Sequence, residues 1–298
     1  MRIHQDWNTD GFDYPTVDDH LGPFPGSGFL RAVTANAELV EAEGALLALE
    51  RTEDGTVRMA GRSSLTDYHS PRGCRVPGLV AEWWRRQAPG TKLDWDSLPR
   101  RAAGVVEEGL TLAGAEPATR RTAVTAVLHL PATYDEYLQM VGKKERHEIR
   151  RKARRYSREL GDATIRTEHG AGWGFEEFVR LHRLAAGAKG RFMDDHTEAL
   201  FRRLVDLPGW RVDLLADQEG KAAACVFGYS DADSYYLYNS SFDPAHSRSS
   251  PGVVLLSSMI EKAVSEGLSR FDFLKGDETY KRRLGAVHRP LYTVSCRK

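Results

Sequence analysis

Cysteine is scarce: Cys74, Cys225 and Cys296 are the only three in 298 residues, and no two share a metal-ligand or disulfide spacing. That scarcity excludes a disulfide framework and a structural zinc site, and it predicts a reducing compartment. Net charge is missing as well, since 42 Lys and Arg balance 42 Asp and Glu. A balanced chain is not steered as a whole toward polyanions, so any nucleic-acid contact must come from a local patch. No apolar run reaches membrane-spanning length, and the opening MRIHQDWNTD lacks the apolar core of a signal peptide. The expectation is a cytoplasmic protein without a membrane partner. None of the ten histidines falls in an H-x-H or H-E-x-x-H pair, so no metal site is expected. Asp194-Asp195-His196 reads as a helix cap. Nucleophile elbows, Walker loops and dinucleotide fingerprints are absent too.

What is present is ordinary for a globular chain: 41% hydrophobic and 28% charged residues. The length suits two compact domains. Residues 1–28 are rich in Asp, Gly and Pro, with Trp7, Phe12, Tyr14 and Phe24 spaced among them. They read as an arm docked by its aromatics. A helix is expected over 29–40, and a hairpin from 45–50 and 57–61 around Thr-Glu-Asp-Gly. Further helices are expected over 76–86 and 102–113, then a strand over 124–130. Pro131 closes that strand, and the domain boundary is placed there, between 1–131 and 132–298.

In the second half, Thr133 with Glu136 three residues on has capping-box spacing. A helix follows from 143 to about 160, with Ile149, Ala153, Tyr156 and Leu160 on one apolar stripe. Helices over 175–186 and 197–207 lead to strands over 212–217 and 222–230. These two strands repeat the strand, acidic-Gly turn, strand order of the first half, which suggests an internal duplication. Cys225 falls inside the second of them and reads as inert core. An aromatic strand over 235–240, an apolar helix over 251–267 and a strand from Phe271 to Leu274 complete the reading.

Two stretches carry chemistry. Residues 143–155 hold eight Lys or Arg against Glu145 and Glu148. Such a run is as often a solvated helix face, yet Lys143, Lys144, Arg150, Arg151 and Arg154 can also present charge to successive phosphates. FDFLKGDETYKRRL is a strand that breaks at Gly276 and delivers Asp277, Tyr280 and Lys281 to its open end, where α/β sheets present reactive groups. Asp272 alternates with Phe271 and Phe273, and if its face is buried its carboxylate needs a partner. Tyr238 and Asn239 end the aromatic strand, available to a donor or acceptor substrate or to packing.

The runs YYLYNSSFDPAHSRSSPGVVLL and FDFLKGDETYKRR, with the basic helix beginning KKERHEIRRKARR, resemble the GNAT acyltransferase superfamily over about residues 133–284. The resemblance is closest to its CelD-like acetyltransferase branch and to the related Fem-type aminoacyl-tRNA-dependent transferases. It implies an α/β fold of two tandem GNAT-like lobes, each a mixed sheet flanked by helices. It also implies transfer of an acyl or aminoacyl group to a small-molecule or peptide amine, without a bound cofactor. By resemblance Lys281, next to Tyr280, would polarise the carbonyl, with Asp277 or Asp272 orienting it or taking a proton from the amine. Asp67-Tyr68 matches a recurrent Asp-Tyr of the first lobe and is assigned to acceptor binding with Tyr238 and Asn239.

The family's pyrophosphate loop would fall at Ser250 and Gly252. In one register Pro251 and Val253 stand where glycines belong, and the one charge-assisted donor lost at the proline costs about 1.5–3 kcal/mol; in the other, less damaged, Ser250 and Gly252 take the glycine places. Pro251 is equally a good first residue of a helix. The altered loop and the basic helix favour aminoacyl-tRNA as donor, with acyl-CoA as the alternative. A non-catalytic tRNA- or nucleotide-binding module is the reading from another class.

Overall fold

The computed structural model describes residues 1–34, 36–62 and 64–298. They divide into two units, 1–125 with 289–298, and 126–288. The boundary expected at Pro131 thus falls a few residues earlier, and the last ten residues belong with the first unit.

The first unit opens with a short strand β1 (Arg2–His4), a 3-10 turn at Asp10–Asp13 and helix α1 (Ser27–Val33). Phe24 is the aromatic that docks the arm: it is fully buried, edge-on to Phe29 at 5.0 Å. The helix expected over 29–40 stops at Val33, because Thr34 turns extended. Strand β2 (Glu38–Ala42) follows, its partners supplied by β3 (Ala45–Arg51), with Val40 opposite Leu47. Strand β4 (Val57–Met59) completes an antiparallel run β1-β2-β3-β4. Helix α2 (Val76–Arg85) then crosses over, so β5 (Lys92–Leu98) lies parallel to β4 with Leu93 opposite Val57. Helix α3 (Arg100–Leu112) and strand β6 (Ala118–His129) lead out. Trp83, Trp84 and Trp95 fill the core between α2, α3 and the strands.

The second unit begins within β6. Helix α4 (Tyr134–Met140) starts on Thr133, and both halves of the expected capping box form. Helix α5 (Lys143–Leu160), strand β7 (Ile165–Glu168) and helices α6 (Trp173–Leu184), α7 (Ala188–Phe192) and α8 (Asp195–Val205) come next. Asp194 caps α8 by accepting from Thr197 N–H at 2.7 Å, as its sequence suggested. Strands β8 (Trp210–Ala216), β9 (Ala222–Ser230) and β10 (Ser234–Phe242) run antiparallel. A 3-10 turn at Pro244–Ser249 enters helix α9 (Pro251–Ser265), which crosses over to β11 (Arg270–Lys275), parallel to β10. The strand order in this unit is β6-β11-β10-β9-β8-β7. After helix α10 (Thr279–Arg283), strand β12 (Val287–Arg297) pairs antiparallel with β5, which explains why residues 289–298 fall with the first unit.

Both units follow one plan: an antiparallel run, a crossover helix, then a strand parallel to the last. β1–β4, α2 and β5 match β7–β10, α9 and β11 in order and direction. The hairpin β8–β9 therefore corresponds to β2–β3, turning at Glu43-Gly44, and not to the later hairpin β3–β4 that the sequence repeat suggested. Among the described residues no helix is long and apolar enough to cross a membrane.

Candidate active site

The site is built where β10 and β11 part company. Their parallel register runs from Ser234 opposite Arg270 to Tyr236 opposite Asp272. Beyond it two irregularities bend the strands. The register of β10 with β9 shifts between Leu237 and Asn239, a bulge of the kind that re-aims side chains beside ligand sites. Leu274 of β11 takes a left-handed backbone (φ 59°) although it is a buried leucine. A conformation of that kind costs about 1–3 kcal/mol and persists only where its surroundings impose it.

Two charged groups impose it here. Asp272, 3% exposed, accepts the Leu274 N–H at 2.7 Å, which answers the question of its partner. Lys281, also 3% exposed, donates to the carbonyls of Lys275 at 2.6 Å and Leu274 at 3.3 Å, and pairs with the Glu278 carboxylate at 2.9 Å. An ammonium has three N–H groups, and three acceptors surround this one. The role expected of Lys281, pointing at a substrate carbonyl, does not match this geometry. Its ammonium instead closes the strand end on itself. Asp277 is exposed with no hydrogen bond or ion pair among the described residues. Tyr280 is half-open beside Phe273, and burial together with the Glu278 carboxylate pushes its phenol up to about 12. That hydroxyl stays protonated at neutral pH.

Helix α5 buries Ile149 and Tyr156, the latter donating to the Ala216 carbonyl at 2.7 Å, and turns its basic face outward. Several of its cations are committed within the unit. Arg151 makes a fork on Glu148 at 3.0 and 2.8 Å, so its share in phosphate binding is reduced. Arg146 caps α4 through the Leu138 carbonyl, and Arg155 reaches the Arg248 carbonyl at 3.2 Å. Ser249 bonds Glu159 at 2.6 Å, fastening the 3-10 turn before α9 to the same helix. Lys143, Lys144, Arg150 and Arg154 remain exposed, without an ion-pair partner among the described residues.

The entry to α9 is poor in donors. Ser250 is left-handed (φ 53°), its side chain makes no cap, and Pro251 has no N–H. Val253 and Val254 both donate to the Ser250 carbonyl, at 3.0 and 3.2 Å. In the first turn Gly252 alone keeps an N–H not committed to Ser250, too few for a nest of successive amides around a pyrophosphate.

The residues assigned to the acceptor divide between the units. Tyr238 stacks on Phe201 at 5.5 Å and meets Trp210 edge-on at 5.3 Å. Asn239 at the bulge accepts the Ser240 N–H. Asp67 and Tyr68 lie in the first unit, where Tyr68 is a fully buried core residue, donating to Thr125 at 2.7 Å with the Arg289 guanidinium over its ring. Packing, not a ligand surface, occupies Tyr68.

His182 escaped the sequence reading. It sits at a core position of α6, in step with Phe175, Phe178 and Val179, and such a pattern reads as apolar packing. It is 1% exposed, packed edge-on against Phe178 at 4.8 Å. Its polar neighbours are the Asn239 side chain and the Lys189 backbone, yet neither ring nitrogen makes a hydrogen bond of normal geometry. Burial holds its pKa down at about 4. The imidazole is neutral in the fold, whereas the unfolded chain takes up a proton near 6.5. Unfolding is therefore favoured as pH falls from about 6.5 toward 4, by up to about 3 kcal/mol for this residue. Urea midpoints recorded between pH 7 and 4.5 should fall less steeply in His182→Phe than in wild type; identical slopes would remove His182 as the cause.

Residues 143–282 match a family model described as an acetyltransferase (GNAT) domain. No curated protein matches the chain. Among solved structures, FemX is 11% identical, with 98% of this chain and 97% of that chain covered at a TM-score of 0.60. The C-terminal domain of a proposed lysylphosphatidylglycerol synthetase from Agrobacterium fabrum is 12% identical, covering 90% and 86% at 0.60. A tandem GNAT protein from the clavulanic acid biosynthesis pathway is 12% identical, covering 99% and 98% at 0.51. At such identities the likeness establishes the fold: two GNAT-like units, each a mixed sheet flanked by helices.

Proposed function

Residues 143–282 form a GNAT acyltransferase domain, and on that premise we propose that the protein transfers an aminoacyl group from tRNA to an amine, forming an amide. One observation carries the choice of donor. Four cations of α5, Lys143, Lys144, Arg150 and Arg154, are exposed and without an ion-pair partner among the described residues, while the α9 entry that the same helix touches through Arg155 and Glu159 has too few free amides to cradle a CoA pyrophosphate. A polyphosphate backbone is met by spaced cations, whereas a single pyrophosphate needs converging N–H groups.

In the reaction the amine lone pair attacks the ester carbonyl of the donor. The bond from that carbon to the ribose oxygen breaks, the amine releases a proton and the ribose oxygen gains one. Tyr280, protonated and half-open beside the strand ends, is the proton donor in this reading. Lys281 is a positioning residue that holds Leu274 and Lys275 in the bent arrangement, with Asp272 as its counterpart on the other side of the bend. Asn239 at the bulge is the acceptor-binding group in this reading. No bound cofactor is required, because the ester is already activated.

The fold likeness to FemX and to a lysylphosphatidylglycerol synthetase, a name that denotes an aminoacylated lipid, supports this donor class. The second reading, transfer from an acyl-CoA, is favoured by the likeness to the tandem GNAT protein from the clavulanic acid biosynthesis pathway, whose solved form is the one without AcCoA.

The test uses the alkali-lability of the tRNA ester. A pool of aminoacyl-tRNA with labelled amino acids is incubated with the protein and a mixture of small amines, then treated with mild base. Label that survives as an amide is the expected result. Complete loss of label, with amide formed from acetyl-CoA instead, would transfer the assignment to acyl-CoA; tRNA binding without amide from either donor would leave a binding module.

A further inference from the structure

The first unit has a cleft of its own, about 510 Å³ in volume, and the transfer reading makes no use of it. It lies along β3, β4 and β5, and its walls include Glu50, Arg58, Arg62, His69, Asp94 and Asp96. The sequence places these charges on one face. Leu93 and Trp95 of β5 point into the core, so Asp94 and Asp96 point the other way. The ladder sets Glu50 opposite Arg58, and Val57 opposite Leu93 brings Arg58 and Asp94 side by side. Charges of alternating sign thus run across three strands.

The floor is fixed. His69, 4% exposed, bonds Asp96 Oδ1 at 2.9 Å through Nδ1 and the Gly61 carbonyl at 3.1 Å through Nε2. Gly61 N–H and Thr34 in turn donate to Glu50, at 3.3 and 2.9 Å. Asp94, Arg58 and Arg62, by contrast, have no ion-pair partner among the described residues.

The position repeats that of the transfer site. The cleft borders the parallel pair β4/β5, the counterpart of β10/β11 in the shared plan. Each second strand also carries a buried, left-handed residue that is not glycine: Ser97 at φ 58° and Leu274 at φ 59°. Ligands of open α/β sheets bind beyond the carboxyl ends of such strands.

The charges select the ligand. A simple cation meets two guanidiniums here, and a simple anion meets three carboxylates. A molecule with an ammonium and a carboxylate is attracted by both sets. We propose that this cleft is a second ligand site, which binds a small zwitterionic amine (a free amino acid or a dipeptide) with its ammonium on Asp94 and its carboxylate on Arg58 and Arg62.

Calorimetric titration of the whole protein with glycine, lysine and glycylglycine, against ethylamine and acetate, tests this. The expected result is that at least one zwitterion binds, about tenfold or more tighter than either single-charge control. Asp94→Asn and Arg58→Gln should each weaken it by about tenfold or more while the circular dichroism spectrum is unchanged. Absence of binding up to about 10 mM for every zwitterion, or affinity unchanged in both variants, would overturn the proposal. The titration involves no donor and no turnover, so its failure is distinct from a failure of the transfer reading.

Discussion

Replacing Lys281 by Met is expected to lower the melting temperature of the second unit by roughly 10 °C. Methionine keeps the length and volume of the side chain but removes the ammonium that holds the carbonyls of Leu274 and Lys275. Leaving buried acceptors without a donor costs about 1–3 kcal/mol each. In a unit of this size each kcal/mol is worth about 2–4 °C. The strained Leu274 backbone also loses one of its two restraints. Glu278→Gln serves as the contrast. Its carboxylate is 57% exposed, and a solvated pair contributes at most about 1 kcal/mol, so its melting temperature should barely move. Differential scanning calorimetry distinguishes the roles. A lysine that acts only on a substrate carbonyl would lose turnover in Lys281→Met at an unchanged melting temperature.

The second large effect belongs to α5. Reversing charge at Arg150 and Arg154 together is expected to weaken tRNA binding by on the order of 50-fold at 0.1 M salt and to lower the log–log salt slope by about 1.6. That estimate assigns one phosphate to each arginine, at 0.7–0.9 log units per log unit of salt, as an approximate rule for nucleic acids. Arg151→Glu should have a smaller effect, because Arg151 is already engaged by Glu148. Filter binding across a salt series measures both quantities. Wild-type affinity and slope in the double variant would mean that this face of α5 is simply solvated.

Much of this was legible because it is local. Thr133 with Glu136, Asp194 before α8, and the apolar stripe through Ile149 and Tyr156 each act within one or two helical turns, and each forms as read. The break of β11 at Gly276 was equally visible. What escaped depends on partners distant in sequence. β5 and β12 become strands by pairing with each other, and Pro290 obscures the second. The helix expected over 29–40 yields to β2 because β3 offers Val40 and Leu39 a ladder. Lys281 reads as a catalytic group, and nothing in Tyr-Lys-Arg-Arg reveals that two carbonyls of the preceding strand bend back to meet it. Tyr68, assigned by resemblance to acceptor binding, is instead enclosed by Thr125 and Phe24, both distant in sequence. His182 was hidden by the very stripe that makes α6 amphipathic.

The central claim is that the donor is carried on tRNA. Its most direct test is isothermal titration of the protein with acetyl-CoA, free CoA and a bulk aminoacyl-tRNA pool, at low and moderate salt. The account predicts tRNA binding that weakens steeply as salt rises, and no heat from either CoA species. Micromolar binding of CoA or acetyl-CoA, with none for tRNA, would contradict it and make α5 a clamp for a nucleotide phosphate.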